Sequence, residues 1–373
     1  MQLMKDTSWH SLITKNYGTI ANFTLITEGL SSDKKYKICM DHGICFFLRV
    51  NDWDENGIGQ LYNFSVQKWI YDNGAPIHKP IEAGICSEGV YELFEWIEGS
   101  TLMKIDLDKL NADCFQLGLR VGNLLKNLHA SPLPPSKVKS IQPAVIEDMY
   151  VRFPKTIKRI LRKFPKLKKI GTKLLRYVHS SIIKRNNATS QFKHIKRKKV
   201  YNAYVTMFKD DAECANVEFM NTLKYIMKNK STINDHQLKQ VITHWDCSLG
   251  NIIETQDGAL KFIDVFSRNK PIMCDYMFDV ARFAYGAYNK PNLRNGFIVG
   301  YFERDPTDEE WLLLKVKLFW RIFVSLNDLD AFCAWGDLDL LKARIKSLMN
   351  DYNGSVSIVP STWGKSKTPT QER

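Results

Sequence analysis

The chain has 373 residues, of which 44% are hydrophobic and 25% are charged, so it has enough apolar material for folded domains. This composition excludes a disordered, collagen-like or coiled-coil protein. The 53 Lys and Arg residues against 40 Asp and Glu residues give a net charge of +13. The excess comes from residues 151–200, which hold eighteen Lys or Arg and no acid, and this concentration disfavours a whole-surface nucleic-acid binder.

The sequence shows no targeting segment and no cysteine pattern typical of a zinc site. No apolar run approaches the ~20 residues of a membrane span, and the N-terminal residues lack the apolar stretch of a signal peptide. The eight cysteines form no CxxC pair, so neither a zinc ribbon nor a disulfide scaffold is indicated. We expect reduced thiols in a cytoplasmic protein.

The first part of the chain predicts a small lobe of strands and one helix over residues 1–97. Runs of β-branched and aromatic residues are typical of strands, and the DNG sequence after the helix is a plausible C-cap. In chain order the pattern predicts a strand over 17–27, a turn over 28–35, a β-hairpin over 36–50, a helix over 59–71 and strands over 81–85 and 90–94.

Residues 98–359 predict a mainly helical lobe. Apolar residues recur every three or four positions over 115–129, which indicates a core-facing helix, and further helices are expected over 217–228 and 308–326. Apolar residues recur with the same spacing in the basic segment within 150–200, but prolines interrupt it, so the pattern predicts short amphipathic helices. Residues 360–373 are polar and predict a flexible tail.

Three polar residues follow two short apolar strands between 240 and 282. Asp246 lies just after a strand that ends at His244, Asn251 comes five residues later, and Asp264 ends the strand over 260–263. We expect these side chains at the ends of two paired strands. Mg²⁺ takes few protein oxygen ligands and completes its shell with phosphate and water, so Asn251 and Asp264 are candidate ligands. Asp246 would then accept the proton of an attacking hydroxyl.

This HxDxxxxN motif, followed by IDxxx and a downstream DVA, resembles the aminoglycoside phosphotransferase and choline-kinase-like family, which has the protein-kinase-like fold. The order of other features along the chain matches the same family: EGLSS at 28–32, FFLR ending at Arg49, GAPIHKP at 74–80 and LFEWIEG at 93–99. The resemblance implies an α+β two-lobed fold. It would have a small mixed β-sheet lobe and a mainly helical lobe that carries the basic helical insertion.

The resemblance also implies roles for individual residues. ATP, or GTP as a second option, and Mg²⁺ would be the cofactors. In this scheme Asp246 is the catalytic base, Asn251 and Asp264 hold the metal, Arg49, Gly29, Ser31 and Ser32 hold the phosphates, and the backbone of Glu95 and Ile97 binds the purine. Asp279 would brace the loop, and His244 is expected to be structural.

The acidic residue that this family places on the first-lobe helix is absent from its expected position. In this fold the first-lobe helix should present a Glu to the base on the third strand. Counting back from Gly74 places Asn63 there. Glu28 or another acid remains an alternative partner for Arg49.

The function that the resemblance implies is an ATP-dependent O-phosphotransferase acting on a small-molecule hydroxyl acceptor, such as an antibiotic, sugar, amino-alcohol or glycan. The alternative is a catalytically weak kinase-like binding protein that docks to an anionic membrane or partner through residues 151–200. That segment could equally be a solvated face or bind an anionic substrate, and RNA ranks lowest. The expected location is the cytoplasm, with peripheral membrane attachment as an alternative. The oligomeric state is not indicated.

Overall fold

The computed structural model describes residues 8–27, 33–51, 57–104, 114–133, 196–209, 216–229, 239–266, 273–327, 329, 338–354 and 356–363. Two compact units are present. One contains Met1–Gly99 together with Lys261–Ile272, and the other contains Ser100–Ala130, Ala188–Leu260 and Met273–Arg373. The segment that carries Asp264 therefore groups with the first unit, although the chain reaches it long after residue 97.

The first unit is built on a five-stranded sheet. Its strands follow the order β1-β2-β3-β5-β4 and every neighbouring pair is antiparallel, so the sheet is not mixed. Alternate residues of β2 and β3, such as Ile38 and Leu48, face the core, as the period-two pattern requires. The elements are α1 (Trp9–Tyr17), β1 (Ile20–Ile26), β2 (Lys34–Met40), β3 (Cys45–Asn51), α2 (Gly57–Asp72), β4 (Pro80–Cys86) and β5 (Gly89–Glu95).

Helix α1 was not predicted from the sequence. It begins after Ser8, whose hydroxyl accepts the N–H of Ser11, and it ends at Gly18 with φ 98°. Ile13 of this short helix is fully buried against the sheet. The remaining elements of this unit agree with the predicted order of hairpin, helix and two strands.

The structure corrects the expectation that all cysteines are reduced. Cys39 and Cys45 form a disulfide across the β2–β3 hairpin, with their Cα atoms 4.1 Å apart. They are the last cross-strand pair before the turn, and directly opposite residues in an antiparallel ladder lie this close. The spacing CxxxxxC is not a recognised motif, so only the hairpin register reveals the pair. Cys86, Cys114, Cys247 and Cys274 are buried and take no part in a disulfide.

The second unit is mainly helical. Two small sheets accompany its helices: β7 pairs with β10, and β8 lies between β6 and β9. Leu102, just after β6, donates its N–H to the carbonyl of Ile252 in β8. The elements from β6 onward are β6 (Gly99–Thr101), α3 (Cys114–His129), α4 (Arg197–Met207), α5 (Asn216–Lys228), β7 (Gln240–Ile242), β8 (Ile252–Thr255), β9 (Leu260–Phe262), β10 (Met273–Asp275), α6 (Met277–Gly286), α7 (Pro291–Phe302), α8 (Asp308–Asn327) and α9 (Leu338–Asp351). The predictions of α3, α5 and α8 are confirmed.

Helices α3 and α7 pack with their backbones in close contact. Gly118 and Gly122 of α3 face α7, and Gly296 and Gly300 of α7 face α3. A Cβ atom at any of the four would fall inside the contact distance of a backbone carbonyl oxygen on the other helix. The close packing therefore depends on these four glycines, because a larger side chain would force the two helices apart.

Several expectations fall on residues outside the described ranges, namely the turn at 28–32 and the basic insertion up to residue 195. Only the end of that insertion is described, where α4 begins at Arg197. The tail begins later than expected, because Trp363 is buried and its indole donates to Asp351. Residues 364–373 lie outside the described part. Among the helices that are described, none has the length and apolar character needed to cross a bilayer.

Candidate functional site

The loop that carries Asp246 is fixed by a buried carboxylate. Strand β7 ends at Ile242, and Asp279 in the first turn of α6 accepts the backbone N–H groups of His244 at 2.6 Å and of Trp245 at 2.9 Å. Trp245 has φ 71°, a left-handed conformation that a bulky residue adopts only where its surroundings impose it. Asp279 therefore sets the path of the chain into Asp246.

Two helices in turn hold Asp279. His129 at the end of α3 places Nε2 3.2 Å from the Asp279 carboxylate, and its Nδ1 lies 2.7 Å from the hydroxyl of Tyr301 on α7. These are the helices whose glycines pack backbone to backbone. His244 is structural as expected, because its Nδ1 accepts the N–H of Asp246 at 3.3 Å.

Asn251 binds Asp246 through its amide nitrogen. Its Nδ2 donates to the Asp246 carbonyl at 2.9 Å and to the Asp246 carboxylate at 3.1 Å. The side-chain oxygen of Asn251 has no partner in the described part of the chain, so it keeps its lone pairs for a ligand. Asp246 and Asn251 are thus in direct contact. The prediction that the strands before Asp246 and Asp264 pair with each other is wrong, because β7 pairs with β10 and β9 pairs with β8.

An arginine that the sequence analysis missed also binds Asp246. Arg282 directs Nε at 2.8 Å and Nη2 at 2.5 Å to the same carboxylate oxygen. Arg282 stands three residues after Asp279 on α6, so both side chains lie on one helix face. That spacing could have identified Arg282 once Asp279 was assigned to the loop.

In the first unit, Arg49 on β3 is held between two carboxylates. Its Nε lies 2.7 Å from Glu92 and its Nη1 lies 2.6 Å from Asp264. The Glu92 side chain is only 1% exposed and that of Arg49 is 13% exposed. Burial opposes the charge of Arg49, but the two carboxylates outweigh it and raise the pKa of the guanidinium, so Arg49 is a fixed cation.

The acidic partner of Arg49 is Glu92 on β5, and not a residue of α2 as the resemblance implied. Arg49 and Glu92 face each other across the β3–β5 ladder, and Asn51 also donates to Glu92, at 3.4 Å. Asn63 is half-buried on α2, and no contact joins it to Arg49. The partner of Arg49 therefore comes from a neighbouring strand, which only the strand pairing reveals.

Asp264 is positioned by strand β9. The Phe262 N–H donates to Pro76 at 2.9 Å, and the Phe262 carbonyl accepts the N–H of His78 at 3.0 Å. Asp264 itself has φ 54°, and its side chain is half exposed. Gln67 of α2 donates to the carbonyl of the next residue, Val265, at 3.1 Å. The chain turns sharply here, as is common where strain is stored at functional sites.

The remaining candidate residues differ in what the structure shows of them. The Glu95 N–H donates to the Lys79 carbonyl at 2.9 Å, so it cannot bind a purine, although the Glu95 carbonyl could accept from one. Within the described ranges, nothing accepts from the Ile97 N–H. Gly29, Ser31 and Ser32 lie outside the described residues.

The donor atoms fit a hard cation. In the part of the chain that the structure describes, no group of three His, Cys, Asp or Glu side chains could hold a metal. Taken separately, Asn251 in the second unit and Asp264 in the first each offer a side-chain oxygen, the donor type that Mg²⁺ prefers.

Comparison with known proteins identifies the fold. No protein-family model and no curated protein sequence matches the chain. A spectinomycin phosphotransferase, solved with ADP and spectinomycin, superposes with a TM-score of 0.51 at 15% identity, over 93% of this chain and 97% of that one. A choline/ethanolamine kinase family protein from Mesorhizobium loti gives a TM-score of 0.50 at 13% identity, over 90% of this chain and 91% of that one. The chain therefore has the protein-kinase-like fold expected from its motifs.

Proposed function

We propose that this protein is an ATP-dependent phosphotransferase that acts on a hydroxyl group of a small molecule. The observation that carries the proposal is the Asn251–Asp246 arrangement. The Asn251 side chain holds Asp246, the candidate base, through its amide nitrogen, and its amide oxygen stays available to a cation. Phosphoryl transfer requires both a positioned base and a bound cation, because its catalysis depends mainly on positioning and on charge neutralisation.

The chain's own residues take distinct roles in this proposal. Asp246 orients the acceptor hydroxyl and receives its proton as the oxygen attacks the γ-phosphorus and the bond to the ADP oxygen breaks. Arg49 holds the phosphates, since Glu92 keeps it charged and in place. Asn251 and Asp264 are the proposed Mg²⁺ ligands, and the ion when bound neutralises phosphate charge. In this proposal the Glu95 carbonyl and the Ile97 N–H bind the purine, and Gly29, Ser31 and Ser32 bind the phosphates together with Arg49.

The similarity to a phosphotransferase solved with ADP supports nucleotide binding by this fold. GTP is the second candidate donor. The acceptor classes named by the neighbouring structures are an aminocyclitol antibiotic and, by family name, choline or ethanolamine. These remain candidate classes for this protein. Cytoplasmic location likewise remains a proposal.

Thermal unfolding with ATP or GTP, each with Mg²⁺ or EDTA, tests the proposal. A nucleotide at 100 times its Kd should stabilise the protein by about 2.7 kcal/mol. We expect this shift only with Mg²⁺, and we expect Asp264→Asn to abolish it. The matched control is Asp72→Asn in the same unit, which removes an exposed carboxylate paired only with Lys68. Absence of a metal-dependent shift with either nucleotide, or an equal shift in Asp264→Asn, would refute the proposal.

The alternative of a non-catalytic protein docked through residues 151–200 gives a different result. Nucleotide would then produce no Asp264-dependent shift, while binding to anionic vesicles would fall steeply with salt. The described residues give no observation in its favour.

A further inference from the structure

Three arginines from three helices form a cluster that begins at Asp246. Arg282 of α6 binds the Asp246 carboxylate directly. Arg321 of α8 is close enough to interact electrostatically with Arg282, with Arg344 of α9 and with Asp246. Arg321 and Arg344 also lie over the same Tyr285 ring, at 5.6 and 4.6 Å. The Asp246 carboxylate is thus bound by Arg282 and lies near Arg321, and Arg344 shares the Tyr285 ring with Arg321.

The charges of Arg321 and Arg344 are not compensated within the described chain. Neither guanidinium group forms a salt bridge or hydrogen bond with another described residue, and the Nε atom of each is buried without a partner. Their observed contacts are aromatic rings: Phe278 and Tyr285 for Arg321, and Tyr285 and Tyr288 for Arg344. A buried guanidinium with unused donors carries a desolvation cost that an anion would relieve.

The energetics of Arg321 agree with this picture. Burial, followed by the nearby charge of Arg282, lowers the pKa of Arg321 to about 9. The group therefore remains a cation at neutral pH, but in surroundings that penalise its charge. Ring faces attract the cation without neutralising it.

We propose that the acceptor is an alcohol that also carries an oxyanion, a carboxylate or a phosphate, bound by Arg321 and Arg344. The hydroxyl of the acceptor would contact Asp246, and Arg282 would lie between the hydroxyl and the oxyanion. The proposal rests on the proposed kinase function and specifies its acceptor. A guanidinium presents planar donors that match the oxygens of either anion. The same cluster would repel a polycation or an amino-alcohol, because like charges brought together in a poorly hydrated site are strongly disfavoured.

Acceptors that share one carbon skeleton and differ in charge test the proposal. ADP release would be measured with glycerol, 3-amino-1,2-propanediol, glycerate and glycerol 3-phosphate, and with glucose, glucosamine, gluconate and glucose 6-phosphate. We expect turnover with anionic members only, and the carboxylate and phosphate arms identify the preferred anion. A neutral or cationic member that turns over with equal or higher kcat/KM would overturn the proposal.

Variants of the cluster locate the effect. Arg321→Gln and Arg344→Gln should each raise KM for the anionic acceptor at least tenfold, since a charge-assisted hydrogen bond contributes about 1.5–3 kcal/mol. The KM for ATP should not change. The control is Arg304→Gln, whose side chain is exposed and pairs with Glu310. If Arg321→Gln does not fold, Arg344→Gln provides the test on its own. Equal behaviour of the cluster variants and the control would overturn the proposal.

A binding measurement covers the case in which none of these acceptors is the substrate. Inorganic phosphate and malonate, at constant ionic strength and with Mg²⁺ and a non-hydrolysable ATP analogue present, should raise Tm of the wild type and of Arg304→Gln but of neither cluster variant. If neither anion nor any anionic acceptor produces a cluster-dependent response, the proposal is wrong. This failure is distinct from failure of the kinase proposal, which is judged by the Asp264-dependent nucleotide shift.

Discussion

The ion pair of Arg49 and Glu92 allows a quantitative test of how the phosphate-binding cation is held. Glu92→Gln keeps the shape of the side chain but removes the charge that faces Arg49 at 2.7 Å. Removing one partner of a buried pair costs about 3–5 kcal/mol, because the other charge is left unpaired. Asp264 still contacts Arg49 from a half-exposed position, so we expect a loss of about 3 kcal/mol, at the lower end of that range.

Urea unfolding of Glu92→Gln and of a matched control gives the comparison. The control is Glu98→Gln, which breaks the exposed pair with Lys37 at a similar distance of 3.0 Å. The Glu98 and Lys37 side chains are 59% and 31% exposed, so Glu98→Gln should lower the free energy of unfolding by only about 0.5 kcal/mol. The double variant Arg49→Met/Glu92→Leu should recover most of the stability, because no buried charge remains unpaired and the Asp264 carboxylate, which loses Arg49, is half exposed to solvent.

The same variants separate stability from nucleotide binding. Glu92→Gln should weaken nucleotide binding because Arg49 is no longer held toward the phosphates, whereas Glu98→Gln should not. A stability loss in Glu92→Gln no larger than that in Glu98→Gln would refute the reasoning, as would a double variant less stable than either single change.

Three further predictions concern the framework of the second unit. Gly296→Ala should destabilise the protein by about 1–3 kcal/mol through overpacking against α3, whereas Gly286→Ala, where a Cβ meets nothing within 4 Å, should be neutral or stabilising in the same urea titration. Asp279→Asn should lower both stability and kcat, measured by unfolding and turnover, because the amide cannot accept all three hydrogen bonds. Burial lowers the pKa of Lys315 to about 8. The unfolded chain then binds this proton more tightly, so wild-type stability should rise from pH 8 to 10.5 relative to Lys315→Met in pH-dependent unfolding.

Each of these three predictions would be contradicted by a specific result. Equal stability of Gly296→Ala and Gly286→Ala would show that α3 and α7 have room to separate. An Asp279→Asn variant with unchanged kcat would remove that residue from the positioning of Asp246. A wild-type minus Lys315→Met difference that stays flat with pH would mean that Lys315 titrates normally.

The chemistry of the site was more readable from the sequence than its surroundings. Asp246 and Asn251 are five residues apart within one loop, so local spacing was enough to select both as candidate site residues, although their hydrogen bonds are seen only in the structure. Asp279 followed from a motif that lies close to them in sequence. The fold class could be predicted because these motifs occur in a characteristic order along the chain.

The features that were missed depend on pairing between distant segments. Glu92 faces Arg49 only because β5 pairs with β3 in one register, and Asn63 was named instead by counting along a single helix. The Cys39–Cys45 disulfide has the same origin. Arg321 and Arg344 lie on helices that meet only in the folded state, and nothing in their local sequence distinguishes them from solvated side chains.

The central claim, that Asp246 is the base of a phosphotransferase, is tested most directly by turnover and affinity measured on one variant. Asp246→Asn keeps the shape of the side chain but lowers its ability to accept a proton. General base catalysis contributes about 10²–10⁴-fold, so kcat for ADP release should fall by at least 100-fold. The Kd for Mg²⁺ and ATP, measured by calorimetry, should stay within about threefold of the wild type, a difference of less than 1 kcal/mol. An unchanged kcat in the presence of acceptor would contradict the account.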